Sequence, residues 1–381
     1  MSFESGEHIA IGDLVKLQLN EKIPGEAGIK LKLPNGLELT YGEIVALGGD
    51  FYANSEQPIS FGATDPERKR RFQEAYNSLA VDIQAFSEAP QILAVMQDEA
   101  KQLAKGIQQG EKIPDIYRRI EKTHTMAFNC VTGGLCQKDY PEMSEDTFRQ
   151  IYFLQPGRYL KIIDRNFDHF SQNAWIAYSS GHTLALEMAV QAKLENNLEK
   201  LTTAYAINAF SSHYLSDGFS SGHMRTPRVL LFNMINPSFI GTFLAVYMHN
   251  EDCENGLHVS NQRGDNWLAL GDKYYLDERN KKNREILLEA MQLSADEVFS
   301  AYQHGSMPEK DTVEALMPNL SKPFDAEDRS NPSPLFYWDN KQGKLLRRAD
   351  VTDITRYEWT PYWYGWSTLA DLTEAKGSLL Y

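Results

Sequence analysis

A histidine and an aspartate four residues apart are the strongest chemical signal in the sequence. His213 and Asp217 follow an apolar run, 204–210, that is typical of a buried helix. Residues i and i+4 share one helix face, so both side chains would be buried together. A buried imidazole and carboxylate need a compensating partner, and together they suit a divalent metal such as zinc. The alternative is a core histidine capped by one aspartate.

Other histidines and acids lie where they could join this pair. His223 follows Gly218 and Gly222, where the helix is expected to end, so it can turn back as a third ligand. Asp50 follows two glycines, which allow a close approach of the backbone to a site. Further histidines that stand near acids or glycines are His8, His169 and His249. This is enough nitrogen and oxygen for more than one metal ion.

The order of these residues resembles the bacterial zinc-dependent phospholipase C superfamily, whose fungal relatives are nucleases and nucleotidases. In that family an early histidine is followed by a metal-bridging aspartate beside an aromatic residue, as His8 is followed here by Asp50 and Phe51. A later His-Phe step is matched by His169-Phe170.

The second half of the resemblance is the helix motif itself. The family's order His-Tyr-Leu-x-Asp is matched by His213 to Asp217, and His223 and His249 complete the series. The resemblance covers roughly residues 8 to 255. It is greatest for the Gram-negative branch that hydrolyses phosphatidylcholine.

This resemblance implies a mainly α fold, a multi-helix bundle that binds two to three zinc ions. One ion would take Asp50, His169, His213 and Asp217. A second would take His223, His249 and one acid. A third would take His8 and share Asp217.

Two positions depart from the family's pattern. The family places the acid of the second ion four residues after its histidine, and here that position is Cys253. We therefore expect Asp252 as the ligand, with Glu251 or the Cys253 thiolate as alternatives. The third ion also lacks an evident partner for His8, and Asp13 or a newly exposed amine would have to supply it.

The implied activity is hydrolysis of a phospholipid phosphodiester bond, which would convert phosphatidylcholine to diacylglycerol and phosphocholine. Asp50 would orient or deprotonate the attacking water. Arg225 and Arg228, beside His223, could contact a phosphate or pair with acids. The alternatives are a zinc-dependent nuclease or nucleotidase on the same scaffold, a non-catalytic zinc-stabilised protein that binds lipid, and histidines that bind no metal.

Charge and composition limit the partners. The formal net charge of −14 is unfavourable for binding long nucleic acids or for docking on an anionic membrane. We expect a phospholipid substrate with peripheral membrane contact, and no nucleic acid. The sequence has three cysteines, no visible secretory signal and no transmembrane run. These features predict synthesis in a reducing cytoplasm. The family resemblance implies a bacterial one, and analogy with bacterial effectors adds export into a host cell by a signal-independent route.

Hydrophobic periodicity predicts a small N-terminal β-hairpin at 28–41, followed by a mostly helical chain. A loop with short strands is expected at 250–275. The predicted helices are 66–86, 88–108, 113–128, 144–155, 170–195, 197–217, 228–248 and 281–305.

The last hundred residues are expected to form a separate part of the chain. We predict a catalytic domain at 1–280 and a C-terminal extension at 281–381 that packs on it and is irregular from about Met307. Its aromatic cluster, 357–366, is explained either by core packing or by contact with a lipid–water interface. Head-group preference and oligomeric state are not predicted.

Overall fold

A computed structural model describes residues 5–120, 161–162, 164–308 and 312–377. The predicted helix at 144–155 lies outside these residues, as does the second half of the one at 113–128, of which 113–120 are helical. The described part is mainly helical, which confirms the predicted fold class. Its first helices are α1 (Ser5–Gly12), α2 (Tyr41–Leu47), α3 (Asp65–Ala80) and α4 (Ile83–Gln108).

The remaining helices follow the N-terminal group along the chain. They are α5 (Ser171–Leu194), α6 (Leu198–Asp217), α7 (Ser221–Arg225), α8 (Arg228–Met234), α9 (Ser238–Asn255), α10 (Lys281–His304), α11 (Ser321–Phe324) and α12 (Gly365–Lys376). None of the described helices combines the length and apolar character needed to cross a membrane.

Helix α6 forms the centre of the fold. Every residue from Ala204 to Asp217 is buried, which is the pattern of a helix surrounded by others. The Asn197 side chain caps its first turn by accepting hydrogen bonds from two backbone amides. Helices α5, α10 and α2 pack against it. The histidine and aspartate of α6 are therefore shielded from solvent on all sides.

Two short antiparallel strand pairs lie between α1 and α2 in the sequence. They are β1 (Lys16–Leu17) with β2 (Glu26–Ala27), and β3 (Leu31–Lys32) with β4 (Glu38–Leu39). The second pair, in which Leu31 lies opposite Leu39, is the predicted hairpin. Helix α2 begins directly after it, with a capping box between Thr40 and Glu43. Because α2 packs on α1 and α6, its C-terminal end lies beside the centre of α6.

The prediction of a single helix at 228–248 is wrong. The chain breaks at Asn236-Pro237 into α8 and α9, because a proline lacks the amide hydrogen that a continuous helix needs. Helix α9 then continues to Asn255 and ends at Gly256, which has a φ of 75°. His249, Glu251 and Asp252 therefore lie on a helix and not in a loop. The hairpin of β5 (Leu257–Ser260) and β6 (Asn266–Ala269) follows.

The boundary between α3 and α4 also differs from the prediction. The break falls at 81–82 and not at residue 87, since Asp82 caps the start of α4. Pro90 lies within the second turn of the same helix.

The C-terminal part is more regular than expected. Strands β7 (Phe336–Asp339), β8 (Lys344–Arg348) and β9 (Trp359–Thr360) form an antiparallel sheet, and α12 packs against α9. A second hydrophobic cluster joins these elements to α8 and α9 through buried residues that include Leu231, Leu244, Phe336 and Leu372.

The predicted domain boundary at residue 280 coincides with the start of α10. This helix packs against α5 and α6, and its apolar face belongs to the main core. The C-terminal residues that join the second cluster begin later in the chain, at Leu335. The two-domain division itself remains a prediction.

Candidate metal centre

Seven of the eight predicted ligands converge at the centre of the fold. His8 is on α1, Asp50 follows α2, and His169 precedes α5. His213 and Asp217 are on α6, His223 on α7 and His249 on α9.

Asp217 lies at the middle of this cluster, with its side chain 1% exposed. Its Oδ2 is 2.8 Å from His169 Nδ1 and 3.4 Å from His213 Nε2. Its Oδ1 is 3.2 Å from His223 Nδ1 and 3.7 Å from His8 Nε2. One buried carboxylate therefore faces four imidazoles, and no lysine or arginine among the described residues pairs with it.

The ligand atoms fall into three groups, and within each group they lie within 4.8 Å of one another. Each group could hold a metal ion. The groups are His8 with His213 and Asp217; Asp50 with His169 and His213; and His223 with His249 and Asp272.

Asp272 was missed by the sequence prediction, and Asp252 was wrongly chosen. Asp252 forms a buried two-point ion pair with Arg225, at 2.6 and 2.9 Å, so its oxygens are already occupied. The acid beside His249 is Asp272, whose Oδ2 is 3.0 Å from His249 Nε2 and 3.7 Å from His223 Nε2. The signal available in the sequence was an acid after a glycine, just beyond a short strand.

The other candidates for these positions have different partners. Asp13 Oδ1 accepts a hydrogen bond from the Gly42 amide. Glu251 binds Arg348. The Cys253 sulfur is 3.7 Å from His249 Nε2 and is buried. Arg228, which the sequence made a candidate for phosphate contact, donates to Asn166.

In both His213 and His8, a neighbouring hydrogen-bond acceptor determines which ring nitrogen faces the acids. His213 Nδ1 is 2.9 Å from the Val45 carbonyl oxygen, which can only accept, so Nδ1 carries the hydrogen. His8 Nδ1 is 2.9 Å from Ser216 Oγ, and that hydroxyl donates to the His213 carbonyl. In both rings the Nε2 lone pair is directed at Asp217. Such outer partners orient imidazoles for metal binding.

Burial and charge have opposite effects on these histidines. For His213 burial outweighs the neighbouring acids and lowers the pKa to about 4, so the ring is neutral at pH 7. For His169 burial also lowers the pKa, but the carboxylates of Asp217 and Asp50 outweigh it and raise the pKa to about 9. Burial raises the pKa of Asp217, and three histidines reverse this and hold it well below the usual carboxyl range.

Two enclosed ligand atoms have no hydrogen-bond partner. They are Asp217 Oδ2 and His223 Nδ1. Asp217 Oδ2 nevertheless makes a close ion-pair contact with His169 Nδ1, at 2.8 Å. Buried polar atoms normally have partners, and a cation would bind both of these atoms. The set of imidazole nitrogens and carboxylate oxygens therefore fits a divalent metal such as zinc.

Two glycines provide the room for this arrangement. Gly49 has a φ of 74°, and a Cβ there would be 2.4 Å from His213 Nε2. At Gly222 a Cβ would be 2.6 Å from His249 Cδ2. Neither position tolerates a larger residue without displacing a candidate ligand.

The remaining described histidines lie outside the cluster. His182 is part of a polar network in the core and binds Glu297 at 2.7 Å. His258 and His304 are exposed. His124 is outside the described residues.

A cavity of about 440 Å³ reaches the cluster at His223. Its apolar wall includes Trp175, Met224, Met317 and Phe324. Glu314 is the one acidic residue that lines it, and no lysine or arginine does so among the described residues.

These features define a mainly helical protein with a candidate multi-metal centre beside a largely apolar cavity. Comparisons of the chain with models of protein families, with curated proteins and with solved structures found no match. The assignment of a function therefore depends on the residues themselves.

Proposed function

We propose that this chain is a zinc-dependent phosphodiester hydrolase of the phospholipase C type. The proposed substrate is phosphatidylcholine, cleaved to diacylglycerol and phosphocholine. One observation carries the proposal: a buried carboxylate, Asp217, is surrounded by four imidazoles, and no lysine or arginine among the described residues pairs with it.

The residues divide into three candidate ligand groups that would hold two to three ions. His213 and Asp217 connect the groups, since His213 belongs to two of them and Asp217 contacts His223 of the third. Bound zinc would neutralise phosphate charge and lower the pKa of water. The Val45 carbonyl and the Ser216 hydroxyl keep the rings of His213 and His8 oriented toward the acids.

Asp50 is the residue we propose for proton transfer. Its side chain is 36% exposed, which is more than the side chain of any other candidate ligand in the cluster. A carboxylate at the solvent-facing side of the site can orient a water molecule and accept its proton. The other acids, Asp217 and Asp272, are more deeply buried.

The cavity beside His223 favours a lipid over a nucleic acid. A site for a polyanion needs lysine or arginine, and the described residues that line the cavity include neither. Arg225 is also occupied by Asp252. Apolar lining suits the glycerol and acyl portion of a phospholipid.

The test is hydrolysis of three substrates by zinc-loaded protein: phosphatidylcholine vesicles, a soluble phosphocholine diester, and single-stranded DNA. We expect turnover of the first two. Asp217→Asn should reduce that turnover by more than about a hundredfold, because loss of a ligand exceeds the tenfold to hundredfold effect of losing an outer partner. The matched control is His258→Ala, which removes an exposed histidine and should leave turnover unchanged.

The alternatives give different results. Hydrolysis of DNA or of a 3′-nucleotide, without lipid hydrolysis, would indicate a nuclease. Bound zinc without turnover of any phosphoester would indicate a non-catalytic lipid-binding protein. Unchanged turnover in a folded Asp217→Asn variant would contradict the proposed centre.

A further inference from the structure

A group of exposed large apolar and aromatic side chains has no member among the candidate metal ligands. We call it the aromatic patch and define it by Met234, Phe239, Tyr362, Tyr364 and Trp366. The exposed fractions of these residues are 52%, 46%, 87%, 80% and 60%. The first two are at the corner between α8 and α9, and the last three are at the start of α12.

The two parts of the patch are in direct contact. The Trp366 and Phe239 rings meet edge to face, with centroids 5.9 Å apart. Gly365 lies against the corner so closely that a Cβ there would be 2.7 Å from Ile235 Cγ2. These contacts join the two segments of the patch, which are more than a hundred residues apart in the sequence.

The outward direction of these rings follows from how their neighbours are held. Trp363 donates its indole hydrogen to the Leu345 carbonyl at 3.1 Å, and its ring contacts Phe336. Trp359 donates to the Pro334 carbonyl at 3.0 Å. The aromatic cluster predicted from the sequence therefore has both roles: some rings anchor the C-terminal sheet, and others are directed outward.

The segments that form the patch contain no charged residues. Residues 229–248 and 359–370 include no Asp, Glu, Lys or Arg, whereas charged residues make up 24% of the chain. Asp371, which follows the second segment, pairs with Arg347 at 3.6 Å. Proteins seldom expose an uncharged aromatic surface of this kind to solvent unless it binds a partner, a ligand or a membrane.

We propose that the aromatic patch docks the protein on the surface of a zwitterionic phospholipid membrane. Tyrosine and tryptophan combine an apolar ring with a polar atom and therefore favour the lipid–water interface. With a net charge of −14 and no basic residue in the patch, the protein would be repelled by an anionic bilayer but not by a neutral one. The choice of a membrane rests on the proposed lipid substrate.

The test is co-sedimentation of the full chain with phosphatidylcholine vesicles. It is made in an Asp50→Asn background, so that hydrolysis does not consume the vesicles. The combined variant Tyr362→Ser, Tyr364→Ser and Trp366→Ser should reduce the bound fraction at least tenfold. The control replaces Ile83 and Phe86, which are 82% and 52% exposed on α4, with serine and should bind like the parent.

A second readout separates docking from chemistry. For this readout the three serine substitutions are made in protein that keeps Asp50. This variant should hydrolyse a soluble phosphocholine diester within twofold of the parent rate, while its hydrolysis of vesicles should fall together with its binding to them. Patch-dependent binding without any hydrolysis would support docking and contradict the proposed function. Vesicle binding that is unchanged in the triple variant would overturn the docking proposal. The docking proposal would also be overturned if sedimentation velocity showed the parent protein as a dimer and the triple variant as a monomer, because the patch would then bind a second copy of the chain.

Discussion

Helix α9 carries two adjacent buried acids, Glu251 and Asp252. Glu251 is bound at two points by Arg348, at 2.7 and 2.9 Å, and is also paired with Lys376. Asp252 is bound at two points by Arg225. These acids are neutralised by cations that the chain itself supplies.

The adjacent metal centre has no such cations. Asp217 and Asp272 face histidines and a serine, and no described lysine or arginine pairs with either. A buried carboxylate is unfavourable without a compensating charge. The comparison therefore separates acids that arginine or lysine neutralises from acids that face histidines, and the second kind forms the candidate centre around Asp217.

The largest expected effect on stability comes from breaking an internally neutralised pair. Arg348→Ala leaves buried Glu251 with Lys376 as its remaining described cation, and it removes donors to the Ser333 and Val351 carbonyls. We expect a loss of about 3–5 kcal/mol in the free energy of unfolding. Urea unfolding of metal-loaded and metal-free protein should show this loss in both.

The control for this prediction is Arg356→Ala, because that arginine is 48% exposed and pairs only at the surface. Its effect should be within about 0.5 kcal/mol. If Arg348→Ala instead changed the metal content with little change in stability, the separation between the two kinds of acid would be wrong.

A smaller effect is expected from Gly49→Ala. The backbone cost of a left-handed residue with a side chain is about 1–2 kcal/mol, and the added methyl would also collide with His213. Gly28 has nearly the same φ, 75°, but a Cβ there would meet nothing within 4 Å. Gly28→Ala should therefore carry the backbone cost alone and keep its metal, whereas Gly49→Ala should lose metal affinity. Equal metal affinity in the two variants would contradict the position assigned to Gly49.

The smallest effect concerns acid stability. Burial raises the pKa of Glu251, but Arg348 and Lys376 outweigh it and hold the pKa below the usual carboxyl value. The pair therefore stabilises the fold above the ordinary glutamate pKa, and this contribution is lost as the pH falls through the lowered one. Unfolding measured from pH 7 to pH 3 should show Glu251→Gln less stable than the parent at pH 7, with the gap closing in acid. A constant gap would contradict this explanation.

The sequence predicted the centre well where ligands were tied to helix spacing. His213 and Asp217 are four residues apart, and helix geometry alone places them on one face. The choice between a capped core histidine and a metal ligand required the fold, because the other three histidines come from different elements.

The acid of the second group could not be found in the same way. Asp252 was expected because it neighbours Cys253, the position where the resembled family places this acid, but Arg225 of α7 occupies its oxygens. Asp272 comes from the loop after β6. Because a loop has no regular repeat, the sequence does not show where the Asp272 side chain points. The break at Pro237 and the outward rings at the start of α12 likewise depend on tertiary packing.

The most direct test of the centre is the zinc content per chain of purified protein after zinc is supplied and excess is removed. We predict two to three ions per chain in the parent and in the His258→Ala control. His213→Ala should lose at least one ion, because His213 belongs to two of the three ligand groups. A parent protein that binds no zinc would show that the imidazoles and acids satisfy one another, and it would contradict the metal centre.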